Sequence, residues 1–203
     1  MSDTKNKTLD YYNRNSSAFT ADTADVEFSA IQDQFLSCVP QGGTVLDFGC
    51  GSGRDTRYFL KKGYQAEASD GSEEMVKIAT ANTGIPVKQM LFQELDETEK
   101  YDGIFACASI LHVPYSELPD VITRMWKALK KNGVMYISFK YGDYEGYRNG
   151  RFFTDMNEER MEAVLKEVPP MIVLNESITD DVRSGRSDEK WLNVFLKRPL
   201  PSS

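Results

Sequence analysis

The chain has 203 residues, of which 40% are hydrophobic and 27% charged, with a formal net charge of −7. This length and composition are typical of one soluble globular domain, and the acidic balance argues against nucleic acid as a partner, because nonspecific binding needs clustered Lys and Arg. One histidine and three unevenly spaced cysteines argue against a metal cluster and a disulfide framework, so we expect reduced thiols and no metal in a cytoplasmic protein.

Residues 1–40 are predicted as a flexible amino-terminal segment with flanking helices, and residues 41–203 as the remainder of a single globular domain. Met1–Asp10 is polar and lacks the apolar stretch of a signal peptide. A helix is predicted over Val26–Cys38, where apolar residues recur at helical spacing. No apolar run is long enough for a transmembrane helix, so no membrane partner is expected. The oligomeric state is not predicted.

From residue 44 onward, strand and helix patterns alternate. Strands are predicted over Thr44–Phe48, Gln65–Ser69, Pro86–Phe92, Tyr101–Ala108 and Val134–Lys140, with helices over Arg54–Lys62, Ser72–Asn82 and Ser116–Lys130. The strands are short continuous apolar runs, which suit a parallel sheet buried on both faces. Such alternation predicts right-handed crossovers and a three-layer α/β/α sandwich.

The carboxyl-terminal part has a different pattern. A helix over Asn157–Val168 precedes two strands, Met171–Ile178 and Lys190–Lys197, with no helix between them. Two strands joined in this way indicate an antiparallel hairpin at the edge of the sheet.

A glycine-rich turn after the first strand carries the strongest functional signal. Gly49, Gly51 and Gly53 alternate between that strand and the next helix, so backbone can approach a ligand closely. Asp70 follows Gly49 by about 20 residues, at the end of the second strand, where nucleotide folds place a carboxylate for ribose hydroxyls. The spacing therefore predicts a site for an adenosine-containing cofactor.

The details of the turn discriminate between cofactors. A dinucleotide fingerprint is G-x-G-x-x-G, whereas this turn reads G-x-G-x-G and is flanked by the carboxylates of Asp47 and Asp55. These carboxylates would repel a pyrophosphate but attract the ammonium and sulfonium of S-adenosylmethionine. In these residues the chain resembles the class I S-adenosylmethionine-dependent methyltransferases, whose first motif looks like L-D-x-G-C-G-x-G.

The resemblance implies a Rossmann-like sheet of seven strands, mostly parallel with an antiparallel last strand, and a set of cofactor contacts. The Asp47 carboxylate and the Gly49 carbonyl would receive the methionine ammonium, and Asp70, beside Gly71, would bind the ribose. Asp70 could instead only cap the next helix.

Further contacts follow from the same resemblance. Met75 would lie against the adenine, although a methionine at helical spacing also suits the core. Gln93 and Glu94 would meet the adenine edge or remain solvated. Tyr12, with Tyr11 and Phe19 nearby, would belong to a lid over the cofactor, where a ring could attract the sulfonium.

The end of the fourth strand is the expected place of methyl transfer, because ligands of open α/β sheets bind outside the carboxyl ends of strands. Cys107 and Ser109 would flank that place. His112 could act as a general base, or it could be a structural residue that orients the loop before Pro114.

Two loops carry arginines in an otherwise acidic chain. Arg151 lies in the loop after the fifth strand, and Arg183 and Arg186 lie between the last two strands. Arginine suits planar oxyanions, so these residues could bind an anionic acceptor. They could instead pair with nearby carboxylates such as Asp155. The pattern resembles a bacterial subgroup described as tellurite-resistance-like methyltransferases.

The sequence therefore predicts a methyltransferase that moves the methyl group of S-adenosylmethionine in line onto a small-molecule acceptor. Its catalytic candidates are His112, Arg151 and Arg186. Two alternatives remain open: a nicotinamide-dependent oxidoreductase, and a non-catalytic module that binds S-adenosylmethionine.

Overall fold

The computed structural model describes residues 3–23, 26–183 and 188–200. Its helices are α1 (Asp3–Thr23), α2 (Ser29–Ser37), α3 (Arg54–Lys61), α4 (Glu73–Thr83), α5 (Leu118–Ala128) and α6 (Glu158–Lys166). Its strands are β1 (Thr44–Phe48), β2 (Gln65–Asp70), β3 (Val87–Gln89), β4 (Tyr101–Ala106), β5 (Leu129–Lys140), β6 (Glu145–Arg148), β7 (Arg151–Thr154), β8 (Ile172–Asp180) and β9 (Lys190–Lys197).

Seven of these strands form one sheet in the order β3-β2-β1-β4-β5-β9-β8. Strands β1 to β5 run parallel to one another, whereas β9 is antiparallel to both β5 and β8. The predicted sandwich with a mostly parallel sheet and an antiparallel last strand is confirmed. The late hairpin is also confirmed, with β9 inside the sheet and β8 at its edge.

Apolar residues on both faces of the sheet bury it between helices. On one face, Leu46, Ile104 and Ile137 join a large cluster with α5 and α6. On the other face, Phe105 stacks on Tyr136 with ring centroids 4.6 Å apart, and Phe35 of α2 covers them. The central strands are apolar on both sides, which explains their continuous apolar runs.

The amino terminus differs from the prediction, because a helix rather than a flexible segment begins at Asp3. Tertiary contacts fasten this helix to the body of the domain. Thr8 Oγ1 accepts a hydrogen bond from the backbone N–H of Phe152 at 3.0 Å, and Asn13 Oδ1 accepts one from Ser72 Oγ at 2.7 Å. These partners are distant in sequence, so local periodicity carries no signal for them.

The region around Arg151 also differs from the prediction of a loop. Strands β6 and β7 pair as an antiparallel hairpin, in which Arg148 faces Arg151. Asn149 and Gly150 form its two-residue turn with φ of 49° and 81°. Asn-Gly is the sequence preferred for such a turn, so the signal was present in the chain.

No helix within the described part of the chain is long and apolar enough to cross a membrane.

Candidate active site

A cavity of about 600 Å³ lies at the carboxyl ends of the central strands. Its walls are the glycine turn after β1, helix α1, the end of β4, the hairpin β6–β7 and the segment after β8. The predicted site residues that line it are Tyr12, Gly49, Gly51, Asp55, Asp70, Gly71, Met75, Gln93, Cys107, Ser109, His112 and Arg151. Most of the predicted site is therefore brought together at one place.

The three glycines of the turn have different reasons to lack a side chain. All three have positive φ, of 83°, 54° and 83° for Gly49, Gly51 and Gly53. A Cβ on Gly49 would lie 2.5 Å from the Cβ of Ser109, and one on Gly53 would lie 2.5 Å from Thr83 Cγ2. Gly49 and Gly51 line the cavity, whereas Gly53 lies outside it and permits helix packing.

Asp70 is held at the end of β2 by backbone donors. Its Oδ2 accepts from the N–H of Gly51 at 2.9 Å, and its Oδ1 accepts from the N–H of Ser72 at 2.9 Å. Burial raises the pKa of the Asp70 carboxyl to about 6, against these hydrogen bonds, which lower it. The residue lines the cavity beside Gly71, so the helix-capping and ligand-binding interpretations are compatible.

Asp47 is hydrogen-bonded within the fold and does not line the cavity. It is 2% exposed, and its Oδ2 accepts from Thr56 N at 2.9 Å and from Thr56 Oγ1 at 2.6 Å. The residue lies outside the cavity wall, and burial raises its pKa well above the usual range. Asp47 therefore caps the start of α3, where the first backbone N–H groups have no partner within the helix.

Asp55 lines the cavity but is already paired. The Arg54 guanidinium donates to both of its carboxylate oxygens, at 3.0 and 2.9 Å, and Gln32 Nε2 donates to Oδ1 at 2.6 Å. Arg54 itself lies over the Phe28 ring at 4.8 Å. The positive charge of Arg54 therefore offsets the negative charge of Asp55, and the pair has no net charge.

The residues predicted near the adenine divide into two groups. Met75 is 1% exposed and reaches the cavity from α4, and Gln93 lines it while donating to Glu117 Oε2 at 2.9 Å. Glu94 lies outside the cavity, where its Oε2 accepts from Leu91 N at 2.8 Å. The prediction for Glu94 is therefore not supported by its position, which is that of a cap for a short 3₁₀ turn.

The end of β4 supplies small polar groups to the cavity. Ser109 Oγ donates to the carbonyl of Phe48 at 2.7 Å, which ties this loop to β1. Ala108 has φ of 49°, and its N–H donates to Ser138 Oγ at 2.8 Å. Burial raises the pKa of the Cys107 thiol to about 12, so Cys107 is a neutral wall residue rather than a nucleophile.

His112 is bonded through both ring nitrogens. Its Nδ1 lies 2.5 Å from the carbonyl oxygen of Phe152, which can only accept, and its Nε2 lies 2.8 Å from the hydroxyl of Tyr12. This arrangement requires Nδ1–H and a Nε2 that accepts from Tyr12. Burial lowers the pKa of His112 to about 4. The imidazole is therefore neutral, and it lines the cavity together with the Tyr12 side chain to which it is bonded.

The arginines are positioned differently from one another. Arg151 lines the cavity beside Tyr12. Arg183 also lines it, but its Nε donates to Asp181 Oδ1 at 2.9 Å, so the interpretation as an ion pair is correct for this residue. Burial raises the pKa of Asp181, but the hydrogen bonds from Arg183 outweigh burial and lower it to about 2. Arg186 lies outside the described residues.

Several cavity residues were missed by sequence reasoning. The carboxyl-terminal strands contribute Asn193, whose Oδ1 accepts from Tyr136 at 2.7 Å, and Trp191, whose Nε1 donates to Asp181 at 3.0 Å. Phe19 of α1, by contrast, was expected near the lid, and it lies over Gly51, 3.5 Å from the position that a Cβ on Gly51 would take. The only signal for the strand residues was the alternation within β9, which does not say what covers each face.

The residues present suit an adenosyl group that lacks phosphate. Asp70 offers carboxylate oxygens, and the turn offers backbone without Cβ atoms. The one arginine at the turn, Arg54, is bonded to Asp55. Among the described side chains of the turn, none is an unpaired cation that could bind a pyrophosphate.

Comparison with known proteins agrees with this geometry. Residues 45–133 match the family described as methyltransferase domain, and the Rossmann-like fold is similar to that of solved methyltransferases. An uncharacterized methyltransferase of Staphylococcus carnosus (strain TM300) is 29% identical over 124 residues, which cover 58% of this chain and 60% of that protein. The chain thus spans less than two thirds of this relative.

Two solved structures show the same fold over nearly the whole chain. The Burkholderia thailandensis 1,6-didemethyltoxoflavin-N1-methyltransferase, with bound 1,6-didemethyltoxoflavin and S-adenosylhomocysteine, has a TM-score of 0.73 at 21% identity, covering 95% of this chain and 85% of its own. The magnesium protoporphyrin IX methyltransferase of Synechocystis PCC 6803, with bound S-adenosylmethionine, has a TM-score of 0.74 at 15% identity, covering 98% of both chains.

Proposed function

We propose that this protein transfers the methyl group of S-adenosylmethionine to a small-molecule acceptor. The observation that carries the proposal is Asp70, a carboxylate fixed by Gly51 and Ser72 at the rim of the same cavity as the glycine turn. An ionised carboxylate is a strong acceptor for two ribose hydroxyls. The absence of a free cation among the described side chains of the turn favours an adenosyl group over a dinucleotide.

When bound, S-adenosylmethionine supplies a methyl group on a sulfonium, and the C–S electron pair returns to sulfur as the acceptor's lone pair bonds to carbon. The protein's own contribution is to orient the two partners and to exclude water. Tyr12 and Phe19 of α1 and Phe92 lie around the cavity and limit its access to solvent.

His112 stays the proposed proton acceptor, reached through Tyr12. Because its Nε2 accepts from the Tyr12 hydroxyl, a proton leaving the acceptor would pass to the Tyr12 oxygen while Tyr12 passes its own proton to His112. The resulting imidazolium would keep its Nδ1–H bond to the Phe152 carbonyl. Such positioned proton transfer typically contributes 10²–10⁴-fold in rate.

The finer predictions also belong to this proposal. Arg151, and Arg186 outside the described residues, are the proposed partners of an anionic acceptor. The predicted contact of Asp47 with the methionine ammonium is replaced by an indirect role, in which Asp47 holds the start of α3 through Thr56. A tellurite-resistance-like role and a cytoplasmic location stay predictions.

Calorimetric titration with S-adenosylhomocysteine and with NAD tests the proposal. We expect S-adenosylhomocysteine to bind and NAD not to bind, and Asp70→Ala to lose at least tenfold in affinity. Asp120→Ala is the matched control, because its carboxylate pairs with Arg124 on the surface. Tight NAD binding without binding of S-adenosylhomocysteine would establish the oxidoreductase alternative instead.

Labelled-methyl transfer then separates an enzyme from a binding module. The protein is incubated with methyl-labelled S-adenosylmethionine and a fractionated pool of small molecules. Label that enters a small molecule supports catalysis, whereas binding of the cofactor without transfer across the fractions would support the non-catalytic alternative.

A further inference from the structure

The cations that face the cavity are not equivalent. Four described basic side chains line it, and three of them have a carboxylate partner: Arg54 with Asp55, Lys140 with Glu189, and Arg183 with Asp181. Arg151 is the fourth, and no described carboxylate pairs with it. Its charge is therefore the one left available to a ligand.

The surroundings of Arg151 are aromatic rather than acidic. Its guanidinium lies 4.7 Å from the centroid of Tyr11, 5.1 Å from that of Phe153 and 5.8 Å from that of Tyr12. Nη1 donates to the Tyr12 hydroxyl at a long 3.4 Å, and no group among the described residues accepts a hydrogen bond from the buried Nε. Rings offset part of the cost of desolvating a cation, but an unpaired buried donor still costs free energy. An incoming oxyanion would remove that cost.

We propose that Arg151 is the binding group for a carboxylate- or phosphate-type oxyanion of the methyl acceptor, which it holds against Tyr12 and His112. This inference rests on the proposed function and names the class of its substrate. A guanidinium held flat between rings keeps its fork fixed, which favours recognition of a planar or tetrahedral oxyanion over a neutral group.

The position of Arg151 favours the acceptor over the cofactor as the source of the oxyanion. Arg151 lies on β7 and packs against rings of α1 and β7, whereas the arginine beside the glycine turn is Arg54. The charges of Asp70 and Arg151 both act on the Tyr12 hydroxyl, so Tyr12 lies near the proposed ribose contact and near the proposed oxyanion contact.

Filling this subsite would change the basicity of His112. The groups that face the imidazole are Tyr12 from α1, the Phe152 carbonyl and Phe153 ring from β7, and the Arg151 charge from the same strand. Burial lowers the pKa of His112, and the Arg151 charge lowers it further. An oxyanion on Arg151 cancels part of that charge, so acceptor binding would make His112 a better proton acceptor.

The test uses the fact that His112 is the only histidine in the chain, so its imidazole signals need no assignment in a tag-free protein. Inorganic phosphate and trifluoroacetate, which both stay anionic throughout, are titrated separately into protein saturated with S-adenosylhomocysteine, and the His112 resonances are followed from pH 3.5 to 7. We expect saturable binding at millimolar concentration and a rise of about one unit in the pKa of His112.

The variants separate charge from fold. Arg151→Gln should weaken both probes at least tenfold and abolish the rise, whereas Arg151→Lys, which keeps the charge, should retain part of it. Arg124→Gln is the matched control, because Arg124 pairs with Asp120 outside the cavity. Absence of a His112 response to both probes in the wild type, or an equal response in Arg151→Gln, would overturn the proposal.

The source of the oxyanion is settled by cofactor fragments. S-adenosylhomocysteine carries a carboxylate and methylthioadenosine does not. We expect Arg151→Gln to bind both within threefold of the wild type. If Arg151→Gln instead loses affinity only for S-adenosylhomocysteine, and phosphate competes with that compound, Arg151 binds the cofactor carboxylate and the proposal is wrong. Failure of the wild type to bind S-adenosylhomocysteine at all would count against the proposed function, which this titration reports separately.

Discussion

The Tyr12 hydroxyl lies 2.8 Å from His112 Nε2, so helix α1 is hydrogen-bonded to a residue 100 positions further along the chain. Both residues line the cavity, Tyr12 from helix α1 and His112 from the loop after β4. This bond connects the cover of the cavity to the group proposed to accept a proton. Changes at this bond should therefore affect ligand exchange as well as chemistry.

Replacing Tyr12 by Phe should speed the release of S-adenosylhomocysteine. The ring keeps its contact with Phe19, at 5.2 Å between centroids, while the bond to His112 and the long 3.4 Å contact from Arg151 Nη1 are lost. One such bond contributes about 1 kcal/mol, so we expect dissociation to be about fivefold faster in stopped-flow displacement. Tyr58→Phe, whose hydroxyl bonds Asp33 on the surface, should leave the rate unchanged. Equal rates in both variants would mean that this bond does not fasten α1.

The ionised Asp70 carboxylate should lower the free energy of unfolding of the unliganded protein at neutral pH. Burial raises its pKa to about 6 from a usual value of 3.8, so between these values the folded state binds more protons than the unfolded state. Stability therefore falls as pH rises through this window, by on the order of 2–3 kcal/mol.

Asp70→Asn removes that titration. We expect its free energy of unfolding to exceed the wild-type value by an amount that grows from pH 4 to 6 and is constant above, while affinity for S-adenosylhomocysteine falls at least tenfold. Urea unfolding at a series of pH values measures the first and calorimetry the second. A stability difference that is the same at pH 4 and pH 7 would contradict the assignment.

Gly53→Ala should destabilise the fold more than Gly84→Ala. Both glycines have positive φ, 83° and 74°, but a Cβ on Gly53 would lie 2.5 Å from Thr83 Cγ2, whereas one on Gly84 meets nothing within 4 Å. We expect a loss of about 1 kcal/mol for Gly84→Ala from backbone strain and about 1–3 kcal/mol more for Gly53→Ala from overpacking.

Adding Thr83→Ser to Gly53→Ala removes the opposing methyl group. The double variant should return to about the stability of Gly84→Ala in urea unfolding. If the second substitution restores nothing, the cost at Gly53 is backbone strain alone.

Asp47→Ala should weaken the fold rather than cofactor binding. Its loss leaves the buried N–H and hydroxyl of Thr56 without an acceptor, which costs about 1–3 kcal/mol. We expect affinity for S-adenosylhomocysteine within threefold of the wild type at a temperature where the variant is folded. Asp47→Asn, which keeps an acceptor, should recover most of the stability. A tenfold loss of affinity in Asp47→Asn would restore the predicted ammonium contact.

Much of the site was readable from the chain because its signals are local. The glycine turn, Asp70 and the end of β4 each follow directly from a strand, and parallel strands bring their carboxyl ends to one edge. The signal of the Asn-Gly turn of β6–β7 is equally local, although the sequence analysis predicts a loop where Arg151 lies in a strand.

The sequence predicted which residues lie in the site better than it predicted what each of them does there. Asp47 and Asp70 are both acids beside the same turn, yet Asp47 faces the buried start of α3 and Asp70 faces the cavity. Likewise Arg183 is paired with Asp181, whereas no carboxylate in the described part of the chain pairs with Arg151. Such differences depend on which neighbour each side chain meets.

By itself the sequence determined the alternating α/β order, the antiparallel end of the sheet and the place of the glycine turn, since these depend on periodicity and on backbone freedom within a few residues. Only the tertiary structure decided that α1 lines the cavity, that Tyr12 bonds His112, and that no described carboxylate pairs with Arg151. Those facts depend on contacts between residues up to 144 positions apart, whose partners are chosen by packing and by the cost of leaving a buried polar group unpaired.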